Sequence, residues 1–245
     1  MFVRIVPVLF FFVTITFSHA GSDENRTTNT KKNHPKSATE KEIGGNKIIS
    51  EMQSKYRTVR TLSANFVQNQ FSAMDAPDHK IIPSVGNIFI ERDPKLDLLK
   101  FRWQTISPNP ALAVSNGRKF WAYTPPFRDG ENGQVQIRKA SDMKSSTLAD
   151  LLLANRPLQK SFDIEPLDCK NQNHACFSLV PKKASGDLDR AELHIERRTK
   201  LVYKVNLINI VGNRTELELK NIQLNPKLGK ALFEFKVPPK TEVIK

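Results

Sequence analysis

Side chains that could carry out chemistry are few in this sequence and lie far apart. Once an N-terminal segment that contains His19 is set aside, the remaining histidines are His34, His79, His174 and His194. None of them belongs to an HExxH motif, and GxSxG, GxGxxG and GxxxxGK[ST] motifs are also missing. Glu192 and Glu196 could act as an acid and base pair, but carboxylates along a strand are usually solvated. The residues therefore predict a protein that is not an enzyme and holds no metal.

The two cysteines, Cys169 and Cys176, are separated by the polar segment KNQNHA between two apolar runs. A redox motif would need CxxC spacing, and a metal site would need more ligands than the nearby His174. In an exported protein such a pair is expected to close a hairpin as a disulfide. Closing so short a loop contributes about 2–3 kcal/mol to stability on the chain-entropy model.

The elements that position these residues are mostly strands. From Asn46 the apolar residues Ile48, Ile49, Met52, Tyr56 and Val59 recur at helical spacing, which predicts an amphipathic first helix. From Leu62 the period changes to two, and short strands follow as far as a final one at 233–237. Turn residues connect them, and no long crossover helix separates them, so we expect an antiparallel meander.

One leucine-rich segment, STLADLLL at 146–153, interrupts the strands, and Leu148, Leu151 and Leu152 share a helical face there. An isolated helix with that face must cover something apolar. We predict a mainly β fold with helices (α+β): about eleven antiparallel strands form one curved sheet, whose concave face is covered by short helices. Such a sheet offers more apolar surface than the helices can fill, which favours a cavity for an apolar ligand.

The N-terminus indicates export. Arg4 precedes an apolar run at 5–17 and the residues Ser18-His19-Ala20, a pattern typical of a signal peptide spanning 1–20 and cleaved after Ala20. Residues 21–45 contain one bulky apolar residue and are expected to form a disordered polar leader, with a single domain at 46–245. The formal net charge is +13, which suits an anionic partner or simple solubility. No nucleic-acid-binding motif accompanies it.

Six segments occur in an order that resembles the periplasmic outer-membrane lipoprotein carriers of the LolA family. They are LSANFVQ at 62–68, GNIFIERDP at 86–94, KFRW at 100–103, VSNGRKFWAYTPPF at 114–127, LADLLL at 148–153 and FEFKVPPKTEVI at 233–244. The resemblance covers the chain from about Asn46 onward. It implies an incomplete β-barrel with an α-helical lid over an apolar cavity.

The resemblance also implies a function. Such a carrier binds the acyl chains of lipoproteins released by an inner-membrane ABC transporter and passes them to a receptor at the outer membrane. It acts in the periplasm, needs no cofactor and is expected to be a monomer. The alternative is a half-barrel regulator of the same fold that senses lipid or lipoprotein, although such proteins often carry a second domain.

Site residues follow from the same resemblance. Arg92, in E-R-D-P, matches the arginine that holds the lid closed through hydrogen bonds to helix backbone, although Asp93 separates it from the proline. An exposed arginine at a strand end is the alternative interpretation, and Arg102 is the second candidate for the lock. The expected lid residues are Leu148, Leu151 and Leu152. The expected cavity walls are Phe66, Phe101, Trp103 and Trp121.

Overall fold

The computed structural model describes residues 38–76, 78–93, 98–142, 151, 157–184 and 187–244. Helix α1 (Ala38–Arg57) is followed by strands β1 (Thr61–Phe71), β2 (Ser84–Asp93), β3 (Leu98–Ser107), β4 (Ala111–Ser115), β5 (Lys119–Thr124) and β6 (Gly133–Lys139). After a 3-10 turn at Ala140–Asp142 come the short helix α2 (Leu158–Ser161) and strands β7 (Phe162–Leu167), β8 (His174–Pro181), β9 (Leu188–Glu196), β10 (Val202–Asn209) and β11 (Arg214–Leu224). A second 3-10 turn, Lys230–Phe233, precedes β12 (Thr241–Ile244).

All twelve strands form one sheet in the order β12-β6-β5-β4-β3-β2-β1-β11-β10-β9-β8-β7. Two antiparallel meanders, β1–β6 and β7–β11, are joined side by side where β1 pairs with β11. Among the strands of the described residues, only β12 pairs in parallel, along β6. The predicted mainly β architecture is confirmed, with a second meander that returns to the first strand.

One face of the sheet, called the inner face here, packs against α1. Ile49, Met52 and Tyr56 of α1 are fully buried, as are strand residues of both meanders such as Leu62 and Leu193. All of them belong to one apolar cluster that extends across the sheet from β2 to β7. The amphipathic spacing of the helix and the period of two in the strands therefore produce the main core.

Helix α1 begins at Ala38, eight residues before the predicted start at Asn46. The last part of the expected 21–45 leader is thus helical. Gly45 is buried there, and a Cβ at this position would stand 3.1 Å from the ring of Phe177 on β8. The polar composition of this stretch concealed the start of the helix, where Gly45 approaches the sheet closely.

The last predicted strand, 233–237, is wrong. Residues 230–233 form a 3-10 turn and residues 234–238 are irregular, while the strand that joins the sheet is Thr241–Ile244. Cys169 and Cys176 form the predicted disulfide, which closes the connection between β7 and β8. Within the described residues, no helix is long and apolar enough to cross a membrane.

Candidate functional site

An aromatic strip crosses the inner face of the first meander. The register places Phe66 on β1 opposite Gly86 on β2, and Thr105 of β3 lies beyond Gly86. Because Gly86 has no side chain, the ring of Phe66 can lie across β2 and meet Trp103, with the ring centroids 4.8 Å apart. The glycine of the GNIFIERDP segment therefore brings two predicted wall residues together.

The strip continues toward β5 through Phe101 and Phe120, whose ring centroids are 6.0 Å apart. Phe101 pairs with Ser115 on β4, which in turn pairs with Phe120, so all three side chains are on the inner face. Phe66 and Phe120 are buried, whereas Phe101 and Trp103 keep part of their surface accessible. An accessible aromatic surface beside a helix-covered core is suited to hold an apolar ligand.

Trp121 lies on the opposite, outer face of the sheet, so its assignment as a wall of the same cavity is wrong. Trp121 pairs with Val114, and Val114 pairs with Arg102 on β3. Paired residues point to the same face, and Arg102 faces outward because it lies between the inward-facing Phe101 and Trp103. A shift of one residue inverts the face of a strand side chain. The sequence KFW offers Phe120 and Trp121 in succession, and Phe120 is the residue that faces inward.

A second, smaller apolar cluster covers the outer face, formed by Leu112, Val114, Trp121 and Val135. The segment that follows the second 3-10 turn lies against it, because the Phe235 ring is 5.1 Å from the ring of Tyr123. Arg102 donates a long hydrogen bond of 3.4 Å from Nη1 to the carbonyl of Leu232. The C-terminal segment is thus a cover for the outer face.

Arg92 lies at the end of β2 and points to the inner face, where it reaches the C-terminus of α1. Its Nη2 donates to the carbonyl oxygens of Arg57 at 2.8 Å and Val59 at 3.0 Å, with a longer contact of 3.5 Å to that of Tyr56. The last carbonyls of a helix have no partner within it, and a guanidinium can serve several at once. Arg92 therefore fastens the helix to the first meander.

The C-terminal half of α1 is also fastened to the second meander. Lys200, next to the β9–β10 turn, forms an ion pair of 2.8 Å with Glu51, and the hydrogen bond from Lys200 lowers the pKa of Glu51. Lys55 donates to the carbonyl of Thr199 at 2.7 Å. The Tyr56 hydroxyl accepts a hydrogen bond from the Val202 amide, and burial raises the pKa of Tyr56 to about 12. Helix α1 thus bridges the two meanders.

The predicted lid at 146–153 is described only at Leu151, because Leu148 and Leu152 lie outside the described residues. Leu151 is helical and fully buried in the same cluster as α1 and Phe66. Its position agrees with a helix against the inner face. In the described part of the chain, α1 is the helix that Arg92 holds.

The histidines lie away from this site. His174 and His194 are on β8 and β9, where both rings pack near Tyr203, and the Tyr203 hydroxyl is 2.9 Å from His174 Nδ1. His194 Nδ1 is 3.1 Å from Cys176 Sγ, and burial is the main cause that lowers the pKa of His194. His79 is in an exposed loop, and His34 lies outside the described residues. Across the described ranges, no three His, Cys, Asp or Glu side chains are grouped so that they could hold a metal ion.

The fold is an open sheet with one helix-covered apolar face, crossed by a row of aromatic side chains. A family model described as "Outer membrane lipoprotein carrier protein LolA" matches residues 57–236. An outer-membrane lipoprotein carrier protein from Legionella pneumophila (strain Paris) is 29% identical over 194 residues, covering 79% of this chain and 88% of the relative. One from Pseudomonas paraeruginosa is 31% identical over 186 residues, covering 76% and 81%.

Solved structures similar to this chain include a LolA superfamily protein from Nitrosomonas europaea. It is 10% identical, with a TM-score of 0.39, and the match covers 78% of this chain and 96% of that one. An uncharacterized conserved protein from Thermus thermophilus is 11% identical with a TM-score of 0.47, covering 81% and 98%.

The chain belongs to the LolA family of outer-membrane lipoprotein carrier proteins. The resemblance inferred from the six segments is thereby confirmed, and so is the expectation that the protein is a carrier and not an enzyme. The family is periplasmic.

Proposed function

We propose that this protein takes the acyl chains of outer-membrane lipoproteins onto its inner face, receives them from an inner-membrane ABC transporter, and passes them to an outer-membrane receptor. The signal peptide at 1–20 would direct export, and the mature chain from Gly21 would act in the periplasm as a monomer. The polar residues that precede α1 would form a leader, and the carrier domain would begin with α1 at Ala38, earlier than the predicted start at Asn46.

The observation that carries the proposal is the aromatic strip. Phe101 and Trp103 remain partly accessible on a largely apolar inner face, and the rings of Phe66 on β1 and Phe120 on β5 lie against them. Burying about ten methylenes of one acyl chain contributes roughly 8 kcal/mol, since each contributes about 0.8 kcal/mol. Taken alone, that free energy corresponds to a dissociation constant of about 1 μM, and the costs of association and of opening the site make the net affinity weaker, which allows transfer.

Arg92 gives the site a way to open. Its hydrogen bonds to the α1 carbonyls are few and near the surface, so they break at a modest cost in free energy. We infer that the predicted lid residues Leu148, Leu151 and Leu152, together with the end of α1 that Arg92 holds, move aside when acyl chains enter and return when they leave. Closure would then oppose binding, which makes release possible without an energy source on the carrier.

Native mass spectrometry of the periplasmic protein, co-expressed with an outer-membrane lipoprotein, tests this function. We expect a one-to-one complex that requires the acylated N-terminus, because the acyl chains supply most of the binding free energy. The matched control is the same cargo with its lipid-bearing cysteine changed to serine, which should give no complex. Equal capture of both cargoes, or capture of free fatty acid only, would contradict the carrier proposal and favour the sensing alternative.

A further inference from the structure

The most exposed apolar side chains share one end of the sheet. In the described residues, five large apolar side chains are at least 65% exposed: Met74 (94%), Phe127 (80%), Ile210 (71%), Ile82 (67%) and Val211 (65%). They occupy the connections β1–β2, β5–β6 and β10–β11. Exposed apolar residues scattered singly over a surface need no explanation, but a concentration at one end does.

The strand register establishes that these connections lie together. Phe71, at the end of β1, pairs with Arg214 at the start of β11, and the turn 210–213 leads into that strand. The start of β2 lies beside the end of β3, and the end of β5 lies beside the start of β6. Residues 72–76, 78–83, 106–110, 125–132 and 210–213 therefore form one edge, called the loop rim here. Ile106, which is 50% exposed, also belongs to it.

The loop rim is held in shape by its own hydrogen bonds. The Ala73 amide donates to Asn213 Oδ1 at 3.0 Å, which ties the β1–β2 loop to the β10–β11 turn. Asn209 Oδ1 accepts hydrogen bonds from the amides of Val211 and Asn213. Phe127 follows two prolines, whose fixed backbone angles limit the freedom of its loop. The apolar tips are thus presented at little entropic cost.

The opposite end of the sheet has a different character. Its described turns, at 116–118, 171–173 and 197–199, consist of polar and charged residues with Gly117. It is also the end where Arg92 holds α1. The apolar tips therefore lie at the end of the sheet away from the C-terminus of α1.

We propose that the loop rim inserts shallowly into the interfacial region of a lipid bilayer. The tips stand on separate turns with charged residues between them, such as Arg128 and Lys80, an arrangement that a planar lipid surface can accommodate without a matching groove. The basic charge of the chain as a whole supplies long-range attraction to anionic headgroups. Within the loop rim, Lys80 and Arg128 are outnumbered by Asp75, Asp78, Asp129 and Glu131, so the insertion itself rests on the apolar tips. This inference rests on the proposed function in one respect: a carrier must approach a membrane to receive or deliver a lipoprotein.

Flotation of the cargo-free mature protein with vesicles of phosphatidylethanolamine and phosphatidylglycerol (3:1) tests the proposal. We expect wild-type protein to float with the vesicles and to remain bound at 0.5 M NaCl. The triple variant Met74→Ser, Ile210→Ser, Val211→Ser should partition at least about tenfold more weakly, since binding scales with the inserted apolar area. The matched control, Ile137→Ser, Val180→Ser, Val243→Ser, removes exposed apolar side chains from the strands and should float like wild type.

The proposal is overturned if wild-type protein does not float, or if the loop-rim variant and the control variant float equally well. Binding of an acylated peptide in vesicle-free solution is measured for the same variants. Loss of flotation with retained peptide binding supports insertion by the loop rim. If neither wild type nor any variant binds the peptide, the proposed carrier function is contradicted. The flotation result still decides whether the loop rim inserts into a bilayer.

Discussion

Replacing Arg92 with leucine should give a protein that accepts acylated lipoprotein but releases it poorly. The substitution removes the donor that serves the carbonyls of Arg57 and Val59 at the end of α1. Hydrogen bonds to a charged group contribute about 1.5–3 kcal/mol, so the empty, closed form should lose about that much stability relative to the loaded form. Release should slow by roughly 10- to 100-fold. The measurement is the rate of lipoprotein transfer from the purified complex to an acceptor.

Two further variants separate this role from a general loss of charge. Arg92→Lys keeps the charge, but its ammonium is more strongly hydrated and stands on a more flexible stem than the guanidinium, so an intermediate release rate is expected. Arg102→Leu removes a guanidinium from the outer face of the neighbouring strand, where its bond to the Leu232 carbonyl is long, and should release cargo at nearly the wild-type rate. Normal release by Arg92→Leu would remove Arg92 from the mechanism, and reduced release by Arg102→Leu would then point to Arg102 instead.

Gly86→Ala should prevent the sheet from forming in its present register. A Cβ on Gly86 would stand 1.9 Å from the backbone oxygen of Gln104 and 2.7 Å from the Phe66 ring, so both β3 and the aromatic strip would have to move. Overpacking of a core by an added methyl costs about 1–3 kcal/mol, and a clash with backbone that cannot relax exceeds that range. We expect a loss of at least about 4 kcal/mol in the free energy of unfolding, measured by urea denaturation.

Gly229→Ala is the matched control for this substitution. Gly229 has a φ of −75°, and a Cβ there would meet no atom within 4 Å. Its free energy of unfolding should stay within about 1 kcal/mol of wild type. Unfolding of Gly86→Ala and Gly229→Ala at the same urea concentration would contradict the prediction. It would show that the sheet can accept a side chain at position 86 between Phe66 and β3.

The sequence predicted the elements better than their assembly. Spacing identified the face of α1 that contains Ile49 and Met52, because a helix that covers a sheet needs only one apolar side. It placed β1 correctly as well, since Leu62, Ala64 and Phe66 alternate with more polar residues. Where only one face is apolar, the pattern carries enough information to orient the element.

The predictions failed where both faces of the sheet are apolar. On β5, Phe120 packs inward and Trp121 packs outward against the second cluster, so alternation offered no polar side by which to orient the strand. The FEFKV segment alternates like a strand, yet Phe233 ends the second 3-10 turn, and Phe235, in the irregular residues that follow, packs against the outer-face cluster. The pairing of β1 with β11 is likewise a contact between distant segments that local patterns do not reveal.

Fluorescence quenching by brominated acyl chains tests most directly whether the inner face binds lipid. The chain has two tryptophans, and the sheet separates them: Trp103 faces inward and Trp121 outward. The variants Trp121→Phe and Trp103→Phe each leave one reporter, in a conservative aromatic exchange. We predict that a brominated acylated peptide quenches Trp103 strongly and leaves Trp121 nearly unchanged. Equal quenching of both, or quenching of Trp121 alone, would contradict an acyl site on the inner face.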